Sequence, residues 1–325
     1  MKCLCCGKSF DERCTEEEIR TEWHRSCLER FFGTKSLPDT DLSEELLTQL
    51  AIESTHKGYT VPGVQKKISL HLSEEERDRP RLTLVNYPTG YILKPQTEDY
   101  VALPEAEYLV MSMARATKIQ TVPFALLRIS SDRRQFAYIT KRIDRIKKAG
   151  RIQKLAMEDF CQLESRLTAD KYKGSYERCA KVVLQHSQSA GLDVAELYLR
   201  ILFSFAVGNS DMHLKNFSLI ETAEGSALYR LSEAYDMLPV NVIMPEDKEE
   251  LALTLNGKKQ NIRRRDFLLL AQSFSLPCKS AEKMIQKIVA LKDTYIKMCR
   301  DSYLPDGMKE RMISLISERI AILTI

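Results

Sequence analysis

The stretch Gly208-Asn209-Ser210-Asp211-Met212-His213-Leu214-Lys215-Asn216-Phe217 predicts the fold of the whole chain. It follows a strongly apolar segment, residues 197–207, which is typical of a buried helix. Asp211 lies five residues before Asn216, and Asp236 follows twenty residues after Asn216. Asn and Ser favour turns, but a surface turn explains neither the five-residue interval nor the later Asp.

Phosphotransferases of the protein-kinase type require this set of side chains. One Asp accepts the proton of the acceptor hydroxyl, an Asn binds a metal ion, and a later Asp binds metal ions against the nucleotide phosphates. Asp211, Asn216 and Asp236 match these roles in order. A hairpin of residues 217–220 and 227–231 is expected to return Asp236 to the loop. We expect His213 to brace the loop, and Lys215 either to contact the transferred phosphoryl group or to balance charge.

Composition and charge exclude several classes of protein. The chain has 325 residues, 44% hydrophobic and 29% charged, which is typical of globular domains with a sizeable core. It has no apolar run long enough to span a membrane, and its start has no signal-peptide core, so we expect a cytoplasmic protein. The net charge of +4 is compatible with a ligand such as ATP but does not indicate nucleic-acid binding.

Five of the nine cysteines lie within the first 27 residues. In a cytosolic chain this clustering favours a metal site over disulfides. The pairs Cys3-x-x-Cys6 and His24-x-x-Cys27 together supply a closed tetrahedral Cys₃His set, which predicts a structural Zn²⁺ ion. A segment this short does not fold stably by apolar burial alone. The alternatives for one of the four ligands are Cys5 and Cys14.

Residues 56–155 predict a β-rich lobe that binds a nucleotide. The amides around Gly63 are suited to approach phosphates, although the loop lacks the Walker and Rossmann glycine patterns. Lys94 ends an apolar strand and is the candidate phosphate-contacting lysine. A helix opened by Pro104 offers Glu107, or alternatively Glu105, as its ion-pair partner.

Residues 141–145 leave the last predicted strand of the nucleotide-binding lobe and would form a hinge whose backbone binds adenine. The residues that follow this lobe predict a helical lobe. Apolar periodicity predicts helices over 157–163, 176–187, 193–207, 266–274, 280–298 and 305–322. We therefore divide the chain into a zinc-binding module (1–35), a linker helix (36–55), an ATP-binding N-lobe (56–155) and a helical catalytic C-lobe (156–325).

Six motifs together resemble the HipA-like serine/threonine kinases of bacterial toxin–antitoxin systems. In chain order they are Thr60-Val61-Pro62-Gly63-Val64-Gln65-Lys66-Lys67, Tyr91-Ile92-Leu93-Lys94-Pro95, Arg142-Ile143-Asp144-Arg145, Met157-Glu158-Asp159-Phe160-Cys161-Gln162, the opening stretch, and Ala234-Tyr235-Asp236. The resemblance covers residues 56–325. It implies an α+β, two-lobed kinase fold related to the phosphoinositide kinases, with a small β-rich lobe, a larger helical lobe, and ATP and Mg²⁺ as cofactors.

The resemblance also implies residue roles. Asp211 is the catalytic residue, Asn216 and Asp236 are magnesium ligands, Lys94 is the ATP-phosphate lysine, and Lys141, Arg142 and Ile143 form the hinge. The ATP loop contributes Thr60, Val61, Gly63, Val64 and Gln65. Thr60 takes the place of a serine that these kinases autophosphorylate. Pro62 replaces a small residue and stiffens the loop, so autoregulation is an open expectation.

The residues before the ATP loop depart from full-length HipA, because the chain has only the cysteine module and one predicted helix there. In this it is similar to the short HipT-type kinases, whose missing subdomain is a separate small protein. The resemblance implies a HipS-like antitoxin, a HipB-like DNA-binding protein and a protein substrate of the aminoacyl-tRNA synthetase class. The alternatives are a small-molecule or lipid kinase on the same fold, and a zinc-bearing pseudokinase.

Overall fold

The apolar segment that precedes the opening stretch is the second half of a long buried helix, Ala190–Val207. A computed structural model of the chain describes residues 1–39, 67–73, 81–83, 90–129, 135–148 and 151–325. Residues 197–207 are all buried. The helix ends at Gly208, whose φ of 70° lies in the left-handed region that favours glycine. A Cβ there would lie 2.9 Å from the end of the Leu315 side chain, which would have to shift to make room for it.

The chain divides into two compact units. The first comprises Met1–Tyr108 and Val122–Arg145, and the second comprises Leu109–Thr121 and Ile146–Ile325. Strands dominate the first unit beyond its N-terminal module, and helices dominate the second. The architecture therefore has the predicted α+β character.

The first unit contains a five-stranded antiparallel sheet in the order β2-β1-β3-β5-β4. β4 and β5 are almost entirely buried, which explains their continuous apolar runs. The elements that lie in or begin in this unit are α1 (Glu16–Thr21), α2 (Arg25–Phe31), β1 (Ile68–Ser73), β2 (Arg81–Thr83), β3 (Tyr91–Pro95), α3 (Leu103–Ala116), β4 (Phe124–Arg128) and β5 (Phe136–Lys141).

The second unit places helices around a small antiparallel sheet in the order β10-β9-β8. Its elements, with a hairpin that begins at Arg145, are β6 (Arg145–Lys148), β7 (Arg151–Lys154), β8 (Met157–Asp159), α4 (Phe160–Leu163), α5 (Tyr176–His186), α6 (Ala190–Val207), β9 (Ser218–Glu221), β10 (Tyr229–Leu231), α7 (Val240–Ile243), α8 (Arg264–Ser273), α9 (Cys278–Ala290), α10 (Lys292–Arg300) and α11 (Asp306–Thr324). The hairpin predicted after the opening stretch is confirmed as β9 and β10.

Two predicted helices differ from the structure. The helix predicted over 280–298 is two helices, α9 and α10, which meet at Leu291. The other helix is wrong in its first turn. Residues 157–163 were expected to form a single helix, but Met157–Asp159 pairs with β9 as strand β8. The helix starts only after Asp159, whose carboxylate accepts a hydrogen bond from the Gln162 amide while the Gln162 side chain bonds the Asp159 amide. This capping box stops the helix from extending backwards.

Two sequence predictions fall largely outside the described residues. They are the linker helix from residue 40 onwards and the ATP loop with Thr60, Val61, Gly63, Val64 and Gln65.

Within the described part of the chain, no helix combines the length and apolarity needed to cross a bilayer.

Candidate active site and metal centre

The opening stretch forms a tight loop that is closed by hydrogen bonds around Asp211. The backbone amide of His213 and the side-chain Nδ2 of Asn216 both donate to the Asp211 carbonyl oxygen, each over 2.8 Å. A 3₁₀ turn, Leu214–Asn216, brings Asn216 back to this carbonyl. The bond uses the amide nitrogen of Asn216, so its amide oxygen is the atom suited to bind a hard cation such as Mg²⁺.

Residues outside the loop hold its base in place. Ser210 Oγ donates to Asp247 Oδ2 over 2.6 Å, and Asn241 Nδ2 donates to Ser210 Oγ over 3.3 Å. The backbone amide of Asn241 also donates to the Gly208 carbonyl over 3.0 Å. The loop is therefore anchored on the helix end and on the segment that follows β10.

His213 is buried beside the Asp211 carboxylate, with Nε2 3.9 Å from Asp211 Oδ1. Burial lowers the pKa of His213, and the nearby carboxylate of Asp211 opposes this only in part. A neutral, buried imidazole in this position supports the loop through packing, and its ring lies edge-on to Tyr172 with centroids 5.0 Å apart.

Lys215 contacts a carboxylate that the opening stretch does not contain. Its Nζ lies 2.6 Å from Oδ2 of Asp159, the residue that caps α4, and both side chains are largely buried. The motif that contains Asp159 is part of the family resemblance, but the sequence did not predict that Asp159 would contact Lys215. Because Lys215 is engaged here, charge balance describes its role better than contact with a transferred phosphoryl group.

Asp236 follows β10 in a left-handed backbone conformation, with φ 59°. Asp tolerates this conformation better than most residues. Two residues before Asp236, the backbone is fixed by a hydrogen bond from the Ala234 amide to the Gln120 carbonyl over 2.7 Å. The Asp236 carboxylate is near enough to act on His213, whose pKa it raises against the larger lowering effect of burial. Asp236 therefore lies in the electrostatic neighbourhood of the loop and offers oxygen ligands suited to Mg²⁺.

In the first unit, Lys94 at the end of β3 pairs with a glutamate of α3. Its Nζ lies 2.6 Å from Glu107 Oε1, and the two side chains are 4% and 0% exposed. Glu105, the alternative partner, is not the one chosen, and burial raises the pKa of its carboxyl group. Lys94 also lies 5.3 Å from the Tyr138 ring centroid on the neighbouring strand β5. A buried, fixed ammonium group of this kind is suited to orient a phosphate.

The predicted hinge begins at the end of β5. The amide of Lys141 donates to the Pro123 carbonyl, and the amide of Arg142 donates to the Gly90 carbonyl, each over 2.9 Å. Because both amides already donate within the first unit, they are not the groups of the predicted hinge that would bind adenine. Arg142 also forms a two-pronged ion pair with Asp144, at 2.9 and 2.7 Å. Burial acts to raise the pKa of Asp144, but Arg142 outweighs it and the pKa is lowered.

The four predicted zinc ligands lie together in the N-terminal module. The ligand atoms of Cys3, Cys6, His24 and Cys27 are all within 4.8 Å of one another. Cys6 Sγ is 3.4 Å from His24 Nδ1. A tetrahedral zinc ion places a sulfur and a nitrogen ligand about 3.6 Å apart, so the donor set fits Zn²⁺. Among residues 1–39, Cys5 and Cys14 are not members of this group.

The zinc-ligand module packs onto the sheet of the first unit as an integral part of it. The Leu126 amide on edge strand β4 donates to the Leu4 carbonyl over 3.0 Å. Arg128 Nε, also on β4, lies 2.7 Å from Glu22 Oε2. The Tyr91 hydroxyl on β3 donates to the Phe31 carbonyl over 3.0 Å. The contacts to β4 cover part of the sheet edge, where backbone groups would otherwise be unpaired, and the Tyr91 contact joins the module to the central strand β3.

The sequence model of the HipA-like C-terminal domain matches residues 59–294. The chain belongs to this family. It is 24% identical over 291 residues to a Haemophilus influenzae protein named as a candidate kinase, an alignment that covers 83% of each chain. It is also 29% identical over 240 residues to the candidate kinase Y4dM of Sinorhizobium fredii, which covers 70% of this chain and 55% of that protein.

Two solved structures show the same fold. One is a chain of the Shewanella oneidensis toxin–antitoxin complex of HipA, HipB and operator DNA, with a TM-score of 0.65 and 17% identity over 81% of this chain and 64% of that chain. The other is the Helicobacter pylori proinflammatory kinase CtkA, with a TM-score of 0.55 and 14% identity over 82% of this chain and 91% of that chain. The predicted kinase-like fold of the HipA type is thereby confirmed.

Proposed function

We propose that this protein is an ATP-dependent serine/threonine protein kinase and that Asp211 is its catalytic base. The observation that carries the proposal is the loop around Asp211, where the Asn216 amide closes onto the Asp211 carbonyl at 2.8 Å in a chain of the HipA-like family. Asp211 would accept the proton of a protein hydroxyl while that oxygen bonds to the γ-phosphorus of ATP and ADP leaves.

The other site residues divide by unit. In the second unit, Asn216 and Asp236 would bind Mg²⁺, which neutralises charge on the phosphates. In the first unit, Lys94, held by Glu107, would orient the phosphates, and Lys141, Arg142 and Ile143 would contact adenine. The ATP loop, with Thr60 as the proposed autophosphorylation site, completes the nucleotide-binding set from outside the described residues.

The biological role that we propose is that of the toxin of a toxin–antitoxin system. The similarity to a structure that contains HipA, HipB and operator DNA supports this role. The chain would then act with a HipS-like antitoxin and a HipB-like DNA-binding protein, and would phosphorylate a protein of the aminoacyl-tRNA synthetase class.

The test of this function is phosphate transfer from labelled ATP to proteins of a bacterial lysate. The wild-type protein is expected to label at least one protein band, and Asp211→Asn should label it about 10²–10⁴-fold less, because its amide does not accept the proton. Matching melting curves would show that the variant is folded. Label transferred only to small molecules other than ATP and inorganic phosphate would favour the small-molecule kinase, and equal labelling by both proteins would refute the role of Asp211.

We further propose that Cys3, Cys6, His24 and Cys27 bind one structural Zn²⁺ ion. Elemental analysis should find about one zinc per chain, because three thiolates and an imidazole form a closed tetrahedral set. Cys6→Ser should lose most of the metal. Cys14→Ser is the matched control, since Cys14 lies in the same module but outside the ligand group, and it should keep its zinc. Equal zinc in the two variants would contradict the assignment.

A further inference from the structure

A tyrosine that no motif singled out contacts the carboxylate of Asp211. The Tyr172 hydroxyl donates a hydrogen bond to Asp211 Oδ1. Tyr172 lies in the segment between the 3₁₀ turn Thr168–Asp170 and helix α5, and its side chain is 42% exposed. Its hydroxyl thus makes the hydrogen bond that a protein hydroxyl would make to a catalytic base.

The position of Tyr172 is set by fixed contacts on both sides of it. Before it, the Lys171 carbonyl accepts a hydrogen bond from the Leu214 amide over 3.2 Å. After it, the Tyr176 hydroxyl donates to the Met212 carbonyl over 3.2 Å. Both partners belong to the loop that carries Asp211. The ring of Tyr172 also packs edge-on against His213. Hydrogen bonds on both sides of Tyr172 in the chain therefore connect its segment to the loop.

We propose that Tyr172 is an internal gate at the acceptor site, so that an incoming hydroxyl must displace the Tyr172 hydroxyl from Asp211. This inference rests on the proposed role of Asp211 as the base. A carboxylate oxygen that already accepts a hydrogen bond from a phenol is a poorer acceptor for the proton of another hydroxyl. The gate therefore suppresses transfer to water and selects acceptors that bind strongly enough to move the tyrosine.

The protonation state of the tyrosine is consistent with this role. Burial raises the pKa of Tyr172, and the hydrogen bond to Asp211 raises it further. The phenol therefore remains a hydrogen-bond donor at neutral pH. It therefore competes with the acceptor hydroxyl as a hydrogen-bond donor to Asp211 Oδ1.

The test compares ATP hydrolysis in the absence of any acceptor for the wild-type protein, Tyr172→Phe, Asp211→Asn and Lys173→Gln. Phe keeps the ring against His213 and removes only the hydroxyl. Hydrolysis by Tyr172→Phe is expected to rise about three- to ten-fold with little change in KM for ATP. This increase is smaller than the free energy of a buried hydrogen bond to a charged group would give, because the Asp211 side chain is 39% exposed and water weakens the bond. Lys173→Gln alters an exposed side chain of the same segment and should match the wild type.

The outcomes separate the gate from the function on which it rests. Faster hydrolysis by Tyr172→Phe supports the gate, since damage to the fold slows a reaction. Unchanged or slower hydrolysis, with Asp211→Asn inactive, overturns the gate and leaves the proposed function standing. If Asp211→Asn hydrolyses ATP as fast as the wild type, Asp211 is not the base and both proposals fail.

Discussion

Substitution of Lys94 with Met is expected to lower the free energy of unfolding by about 3–5 kcal/mol and to abolish phosphotransfer. The Lys94 ammonium lies 2.6 Å from the Glu107 carboxylate, and both side chains are almost fully excluded from water. Removing the cation deprives the buried carboxylate of its ion-pair partner in a region of low dielectric constant, which is costly. Denaturant unfolding measures the stability, and transfer from labelled ATP measures the activity.

A double variant separates the two effects. Lys94→Met with Glu107→Leu replaces the buried ion pair by apolar side chains, which is often neutral or stabilising. The double variant should regain most of the lost stability but none of the activity, because a methionine cannot orient a phosphate.

Lys309→Met is the control. It removes a lysine from an ion pair with a highly exposed partner, Asp306, and should change the stability and the activity little. A single Lys94→Met variant as stable as the wild type would show that the pair contributes nothing to the first unit.

Removal of zinc is expected to unfold the N-terminal module and to destabilise the sheet onto which it packs. Zinc binding by small modules of this kind contributes about 10–16 kcal/mol, and it is the free energy that folds them. The module contacts strands β3 and β4 through Tyr91, Leu126 and Arg128. Chelation should therefore lower the melting temperature of the first unit by at least about 5 °C.

The single tryptophan of the chain makes this expectation directly measurable. Trp23 lies within the module and is 0% exposed, and its ring packs against Phe31 and Phe32 with centroids 5.7 and 5.4 Å away. Its emission should shift to the red when a chelator removes the metal, because the indole becomes exposed to water. Re-addition of zinc should restore the emission. An unchanged Trp23 spectrum after complete metal loss would mean that the module folds without the ion.

Destabilisation of the sheet is expected to disturb Lys94 and Glu107, which lie in the same unit and are proposed to position the nucleotide phosphates. Tyr91, which bonds the module, lies three residues before Lys94 on β3, and Tyr108, whose hydroxyl lies near Gly7 of the module, follows Glu107 directly. Each member of the buried ion pair therefore lies within three residues of a tyrosine that approaches the module. Chelation is expected to raise KM for ATP for this reason, and Cys14→Ser serves again as the control that keeps its metal.

Local patterns in the sequence were sufficient to predict the loop and the cluster of three cysteines and one histidine. The interval from Asp211 to Asn216 matches one 3₁₀ turn that returns the Asn side chain to the Asp211 carbonyl. The paired spacings of Cys3, Cys6, His24 and Cys27 likewise reflect short-range geometry around one ion. Because such features depend on a few neighbouring residues, they can be predicted from the sequence without knowledge of the tertiary structure. The helix predicted over 157–163 was wrong because pairing of its first residues with β9 outweighed their local preference.

The sequence by itself determined the family, the fold class, the order of the loop residues and the ligand set of the module, because each has a short-range or periodic signal. Only the tertiary structure decided which charged and aromatic groups meet. It placed Asp159 against Lys215, Glu22 against Arg128, and the Tyr172 hydroxyl on Asp211. The members of these pairs lie between 39 and 106 residues apart, and single polar side chains at such separations leave no periodic pattern. Their meeting depends on how strands and helices pack, which is a property of the folded chain.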